Sequence, residues 1–117
     1  MRNALQAWSA VADITFVEVN NPNTSDITFI VANIEQGGLG YPAFIDDLCS
    51  TIAGQVIFDI PTRTSCNGFY NLALHEIGHV IGLGHVGSRN VMNDNIDDLF
   101  ELQPGDIAGA QSIYGKK

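Results

Sequence analysis

The segment His75-Glu76-Ile77-Gly78-His79-Val80-Ile81-Gly82-Leu83-Gly84-His85 constrains this chain more than any other, because it holds all 3 histidines of the protein. Residues four apart lie on one face of an α-helix about one turn apart, so His75 and His79 can aim two imidazoles at one ion. His85 cannot join them on the same helix. Ten residues of helix would carry it roughly 15 Å from His75, against a zinc–nitrogen bond of about 2.1 Å. The helix must therefore stop soon after His79, and the chain must turn back. Gly82 and Gly84 stand where the stop is needed, since glycine accepts the left-handed backbone that ends helices. Glu76 follows the first histidine by about 100° around the helix, beside the ion rather than on it, where a carboxylate suits a general base.

Three neutral imidazoles leave a tetrahedral zinc one open position for water, the arrangement of catalytic rather than structural sites. Zinc lowers the pKa of that water, and Glu76 can take its proton so that the oxygen attacks a polarised carbonyl. The competing reading is a buried helix whose histidines are satisfied core groups. It suits a lone histidine. With even residue usage, five specified residues in such a window arise about once in three million, so the metal reading is preferred.

Length and charge narrow the class. A chain of 117 residues makes one domain with a real core. A formal net charge of −8 with 5 lysines and arginines argues against nucleic acid or an anionic membrane as partner. No apolar run has the length of a membrane span, and the N-terminus lacks a signal-peptide core, which a mature chain would have lost. The sequence leaves the oligomeric state open, with a monomer the favoured expectation.

In chain order, residues 3–12 read as a helix with Leu5, Trp8 and Ala12 on one stripe and Asn3 as its N-cap. Ile14–Val19 is β-branched and aromatic, hence a strand. Asn20–Asn23 is turn chemistry, and Asp26–Ala32 is a second strand. Residues 33–54 read mostly as loop, with a short extended piece at Leu39-Gly40-Tyr41. Gln55–Ile60 is another strand, ended by Pro61. Asn67 can cap the histidine helix, which runs to about Leu83 and carries Leu74, Ile77 and Ile81 on a stripe facing the sheet. Pro104 opens a last helix ending near Tyr114-Gly115. The expected fold class is α+β: a twisted mixed sheet of about four strands with three helices, the histidine helix under a cleft.

The histidine motif, followed by Val91-Met92-Asn93, resembles the metzincin zinc proteases, and Met92 looks like their Met-turn methionine. The similar branch is the matrixins, the matrix-metalloproteinase family. Ala7-Trp8-Ser9, Asp26-Ile27-Thr28-Phe29, Ala53–Asp59 and Asp106–Gly115 carry the resemblance over nearly the whole chain. It implies a zinc metalloendopeptidase working outside the cell on extended polypeptides, with His75, His79 and His85 as ligands and Glu76 as catalytic base. The substrate would pair with Gly38-Leu39-Gly40-Tyr41 as an added strand, the Gly40 carbonyl accepting from an amide near the cut. Asn71 would help line the pocket for the side chain just after it. Ordinary turn chemistry accounts for Gly38 and Gly40 equally well. The resemblance also implies that Asp106, at the start of the last helix, ties it to the Met-turn. A non-catalytic zinc-binding or adhesion module of the same fold is the alternative, and Glu76 speaks against it.

This chain departs from the family's pattern at several points. Matrixins place a strand before the first helix, in the middle of the sheet, whereas this sequence starts at the helix. Either a segment is missing or the sheet closes without it. No histidine is spare for a second, structural zinc, and Ile57 stands at one expected ligand position, so none is expected. Asn93-Asp94 replaces the usual aromatic and proline after the Met-turn, which alters the wall of the specificity pocket. Asp46, Asp47 and Asp59 fall where relatives bind calcium. Solvated surface acids explain them, and Asp94, Asp97, Asp98 and Glu101, equally well. Cys49 and Cys66 are either two free thiols or, favoured for an extracellular enzyme, one disulfide worth up to about 3 kcal/mol.

Overall fold

The computed structural model describes residues 1–32, 39–41, 54–59, 66–95 and 98–117. Along them run α1 (Arg2–Val11), a 3-10 turn (Pro22–Thr24), β1 (Ile27–Ala32), β2 (Leu39–Tyr41), β3 (Gly54–Asp59), α2 (Cys66–Val80) and α3 (Pro104–Tyr114). The three expected helices are present. Strand β3 is central. It pairs with β1 in parallel, from Ile27 opposite Gly54 to Ala32 opposite Asp59, and with β2 antiparallel, from Leu39 opposite Ile57 to Tyr41 opposite Gln55. The sheet is therefore mixed, as expected.

The expected strand at Ile14–Val19 is not part of it. That stretch pairs with no strand among the described residues, and Val17 is 78% exposed. Among the described residues the sheet has three strands. The run of β-branched residues favours an extended chain, but a strand also needs a neighbour's amides within reach, which local composition does not encode. Residues of this segment, of α1 and of β1 instead face one another across a groove of about 1200 Å³. The N-cap expectation also moves. Helix α1 begins at Arg2, and the Met1 carbonyl accepts from the amides of Ala4 (3.0 Å) and Leu5 (3.2 Å), with no side-chain cap at Asn3.

Helix α2 is the centre of the packing. Leu74, Ile77 and Ile81 are fully buried, joined by Val56 and Phe58 from β3, Trp8 from α1, and Val91 and Met92 from the following loop. Phe58 stacks at 6.5 Å on Phe29 of β1 and meets Phe69 of α2 in a tilted contact at 5.0 Å, binding sheet to helix. Side chains reaching main-chain carbonyls tie the three helices together. Trp8 Nε1 donates to the Leu74 carbonyl (3.1 Å), Tyr114 Oη to that of Ile81 (2.8 Å) and Gln111 Nε2 to that of Val11 (2.7 Å). A buried indole N–H needs an acceptor, and Leu74, just before His75, provides it. An isolated bridge between Ala12 and Lys116 joins the two ends of the described chain.

Candidate metal centre

Helix α2 ends as the three-histidine spacing requires. Its last turn closes with the Gly82 amide on the His79 carbonyl (2.9 Å) and the Leu83 amide on the Gly78 carbonyl (2.9 Å), while Gly82 sits at φ +103°. This is a Schellman stop, with the glycine in the left-handed region that costs other residues strain. Gly84, expected to share the task, has no positive φ, and Gly82 alone makes the turn. The helix stops at Val80 rather than Leu83. The reversal brings His85 back beside the first two histidines.

The three Nε2 atoms converge: His75 to His79 at 3.1 Å, His75 to His85 at 3.2 Å and His79 to His85 at 3.0 Å. The outward nitrogens show which tautomers are present. His75 Nδ1 lies 2.7 Å from the Val91 carbonyl and His79 Nδ1 2.8 Å from the Leu83 carbonyl. A carbonyl can only accept, so both Nδ1 atoms carry hydrogen and each neutral ring turns a bare Nε2 lone pair inward. Lone pairs facing at this range repel one another, and a cation relieves that repulsion. Tetrahedral zinc with nitrogens at about 2.1 Å spaces them by roughly 3.4 Å, within a few tenths of an ångström of the spacing found. The donor set fits zinc. Burial holds the His75 and His79 pKa values below the usual 6.5, outweighing the carbonyl bonds that raise them, which favours the neutral form a metal needs.

Below the histidines the chain turns at residues 90–93, closed by the Asn93 amide on the Asn90 carbonyl (3.1 Å). Met92 is buried, and its sulfur lies against Gly78, where a Cβ would overlap it. Asp106 fixes this turn from α3. Its carboxylate, 2% exposed, accepts the amides of Val91 (2.9 Å), Met92 (3.1 Å) and Gln103 (2.8 Å). The Val91 carbonyl that orients His75 is thus held one peptide away from Asp106.

Glu76, next to His75, is buried at 5% exposure. Asn71, one turn before His75, is also buried, and its Nδ2 donates to the Leu99 carbonyl (2.6 Å), so it grips the loop between the Met92 turn and α3. The backbone of Leu39 and Gly40 lies in β2, on the sheet's edge among the described residues and against α2. Cys49, Asp46, Asp47 and Asp97 lie outside the described residues, as do the side chains of Cys66 and Asp59. Asp98 pairs with Arg89 at 2.9 Å. The sequence reading missed the carbonyls of Leu83 and Val91, which orient the first two ligands. No residue identity announces a main-chain oxygen.

Comparison with known proteins agrees with this geometry. The family model described as Matrixin matches residues 1–115. Matrix metalloproteinase-19 of Homo sapiens is 31% identical over an alignment covering 100% of this chain and 26% of the relative. The Mus musculus protein of the same name is 38% identical, with 100% and 25% covered. Karilysin of Tannerella forsythia is 33% identical, with 97% and 30% covered. The chain thus spans less than a third of the length of these three relatives.

Proposed function

From a chain that belongs to the matrixin family, we propose a zinc-dependent endopeptidase that hydrolyses peptide bonds in extended polypeptides. The observation that carries this reading is the convergence of three inward Nε2 atoms within 3.0–3.2 Å, two of them from a helix whose next residue after the first histidine is a buried glutamate. Zinc, when bound there, supplies Lewis acidity for a carbonyl oxygen and lowers the pKa of water. His75, His79 and His85 hold it. Glu76 accepts the proton of the attacking water and passes it to the departing amine. The outer edge of β2 takes the substrate as an added strand, which keeps the scissile bond extended beside α2. Asn71 and the loop it grips wall the cleft beside His75. The working ion is one zinc per chain, and the working compartment is extracellular.

The test is cleavage of an unfolded protein with and without a chelator, on the parent and on Glu76→Ala. The parent should cleave and stop on chelation. Glu76→Ala should keep its zinc and melting temperature yet lose on the order of 10² to 10⁴ in rate. Zinc uptake without cleavage by the parent would leave a binding module instead. Loss of zinc from Glu76→Ala would make the carboxylate a ligand and refute the base.

A further inference from the structure

We propose that Asp94 is the outer partner of His85, accepting its Nδ1–H and thereby fixing the direction in which Nε2 faces the metal. The inference rests on the zinc reading above. Two of the three imidazoles are oriented by main-chain carbonyls at 2.7 and 2.8 Å. Among the described residues no such carbonyl serves the third. Among the described residues, the group facing His85 Nδ1 is Asp94 Oδ2, at 3.9 Å. The other carboxylate oxygen is occupied, since Oδ1 accepts from Asn95 Nδ2 at 2.9 Å, so Oδ2 is the one turned toward the ring. The turn that presents Asp94 is itself held, with the Asn95 amide on Asn93 Oδ1 at 2.9 Å.

The site needs such a partner most at this position. His75 and His79 are partly buried on a helix, whereas the His85 side chain is 49% exposed on irregular chain. Packing does little to hold it. A hydrogen bond needs roughly 2.9 Å, so the carboxylate must approach by about 1 Å, within reach of a small rotation of a side chain that is 56% exposed. An anionic acceptor then makes the imidazole a better donor to the metal than a neutral carbonyl does. Asp94 acts as a positioning residue, through His85.

The test uses the full chain in a competitive zinc titration against a coloured chelator, with the visible spectrum of the cobalt-substituted protein as a second readout. Loss of an outer partner costs 10- to 100-fold in affinity, and the exposure here places Asp94→Ala at about tenfold, with a shifted cobalt spectrum. Asp94→Glu, with a longer reach, should restore both. Asp98→Ala removes the same charge from the same loop, at a residue paired with Arg89, and should bind like the parent. The proposal is overturned if Asp94→Ala stays within about twofold of the parent with an unchanged spectrum, or if Asp98→Ala weakens zinc as much. A parent that takes up no zinc sinks the metal centre together with this proposal, and so fails distinguishably.

Discussion

Gly78 shows how a single residue sets the depth of the site. It stands on α2 between two of the histidines, and a Cβ there would overlap the Met92 sulfur and come within 3.1 Å of the Trp8 ring. Both neighbours are fully buried or nearly so and cannot move aside freely. Gly78→Ala should therefore destabilise the protein by about 1–3 kcal/mol despite the better helix propensity of alanine. Chemical denaturation checks this, and an unchanged or raised midpoint would mean the Met92 side chain yields. At this scale the sequence was most informative where chemistry resides in side chains. The spacing of His75, His79 and His85 foretold that their imidazoles converge, the position of Glu76 marked a buried carboxylate beside them, and Asp106 was placed on the turn it binds. It was silent about Val91 and Leu83, because the atoms that matter there are peptide oxygens.

At the scale of elements, α2 is defined by its stop and by the turn it rests on. Gly82 at φ +103° donates one of the two closing hydrogen bonds of the helix end and turns the chain so that the Leu83 amide makes the other. Gly82→Ala should cost about 1–2 kcal/mol in denaturation of the zinc-free protein, and it should weaken zinc because the same turn aims His79 and His85. A stability loss with zinc affinity intact would separate the helix stop from the ligand geometry. Asp106→Ala strips the acceptor from three amides and should cost about 1–3 kcal/mol of stability by the same measurement. A loss well under about 1 kcal/mol would reduce Asp106 to a helix-end charge. The helices were legible because their apolar stripes and the Pro104 start are local signals. The sheet was less so. Ile14–Val19 has strand composition without a strand partner among the described residues, and pairing is a property of two segments at once.

For the whole molecule, acid is the informative perturbation. Burial lowers the pKa of His75 and His79 in the folded state relative to the usual 6.5. The unfolded chain then binds protons that the folded chain refuses, so stability falls as pH drops below about 6.5 and levels off beneath the folded values. Protons compete with zinc over the same range, so activity should fall on acidification and the metal should leave at lower pH still. Denaturation midpoints of the zinc-free protein between about pH 8 and 5 check the first part. A flat profile would contradict the burial of the two rings.

The bonds that close the structure run from the end of the chain to its beginning. Asp106 secures the turn beneath the histidines, Tyr114 holds the Ile81 carbonyl, and Gln111 reaches back to Val11. During synthesis, the histidine helix is therefore complete before α3, which supplies these bonds, has been made. A nascent chain that has just exposed His85 has two histidines on a helix, a third on an unanchored tail and no Met92 turn beneath them. The three-histidine cluster gains its full set of supports only after α3 has left the ribosome.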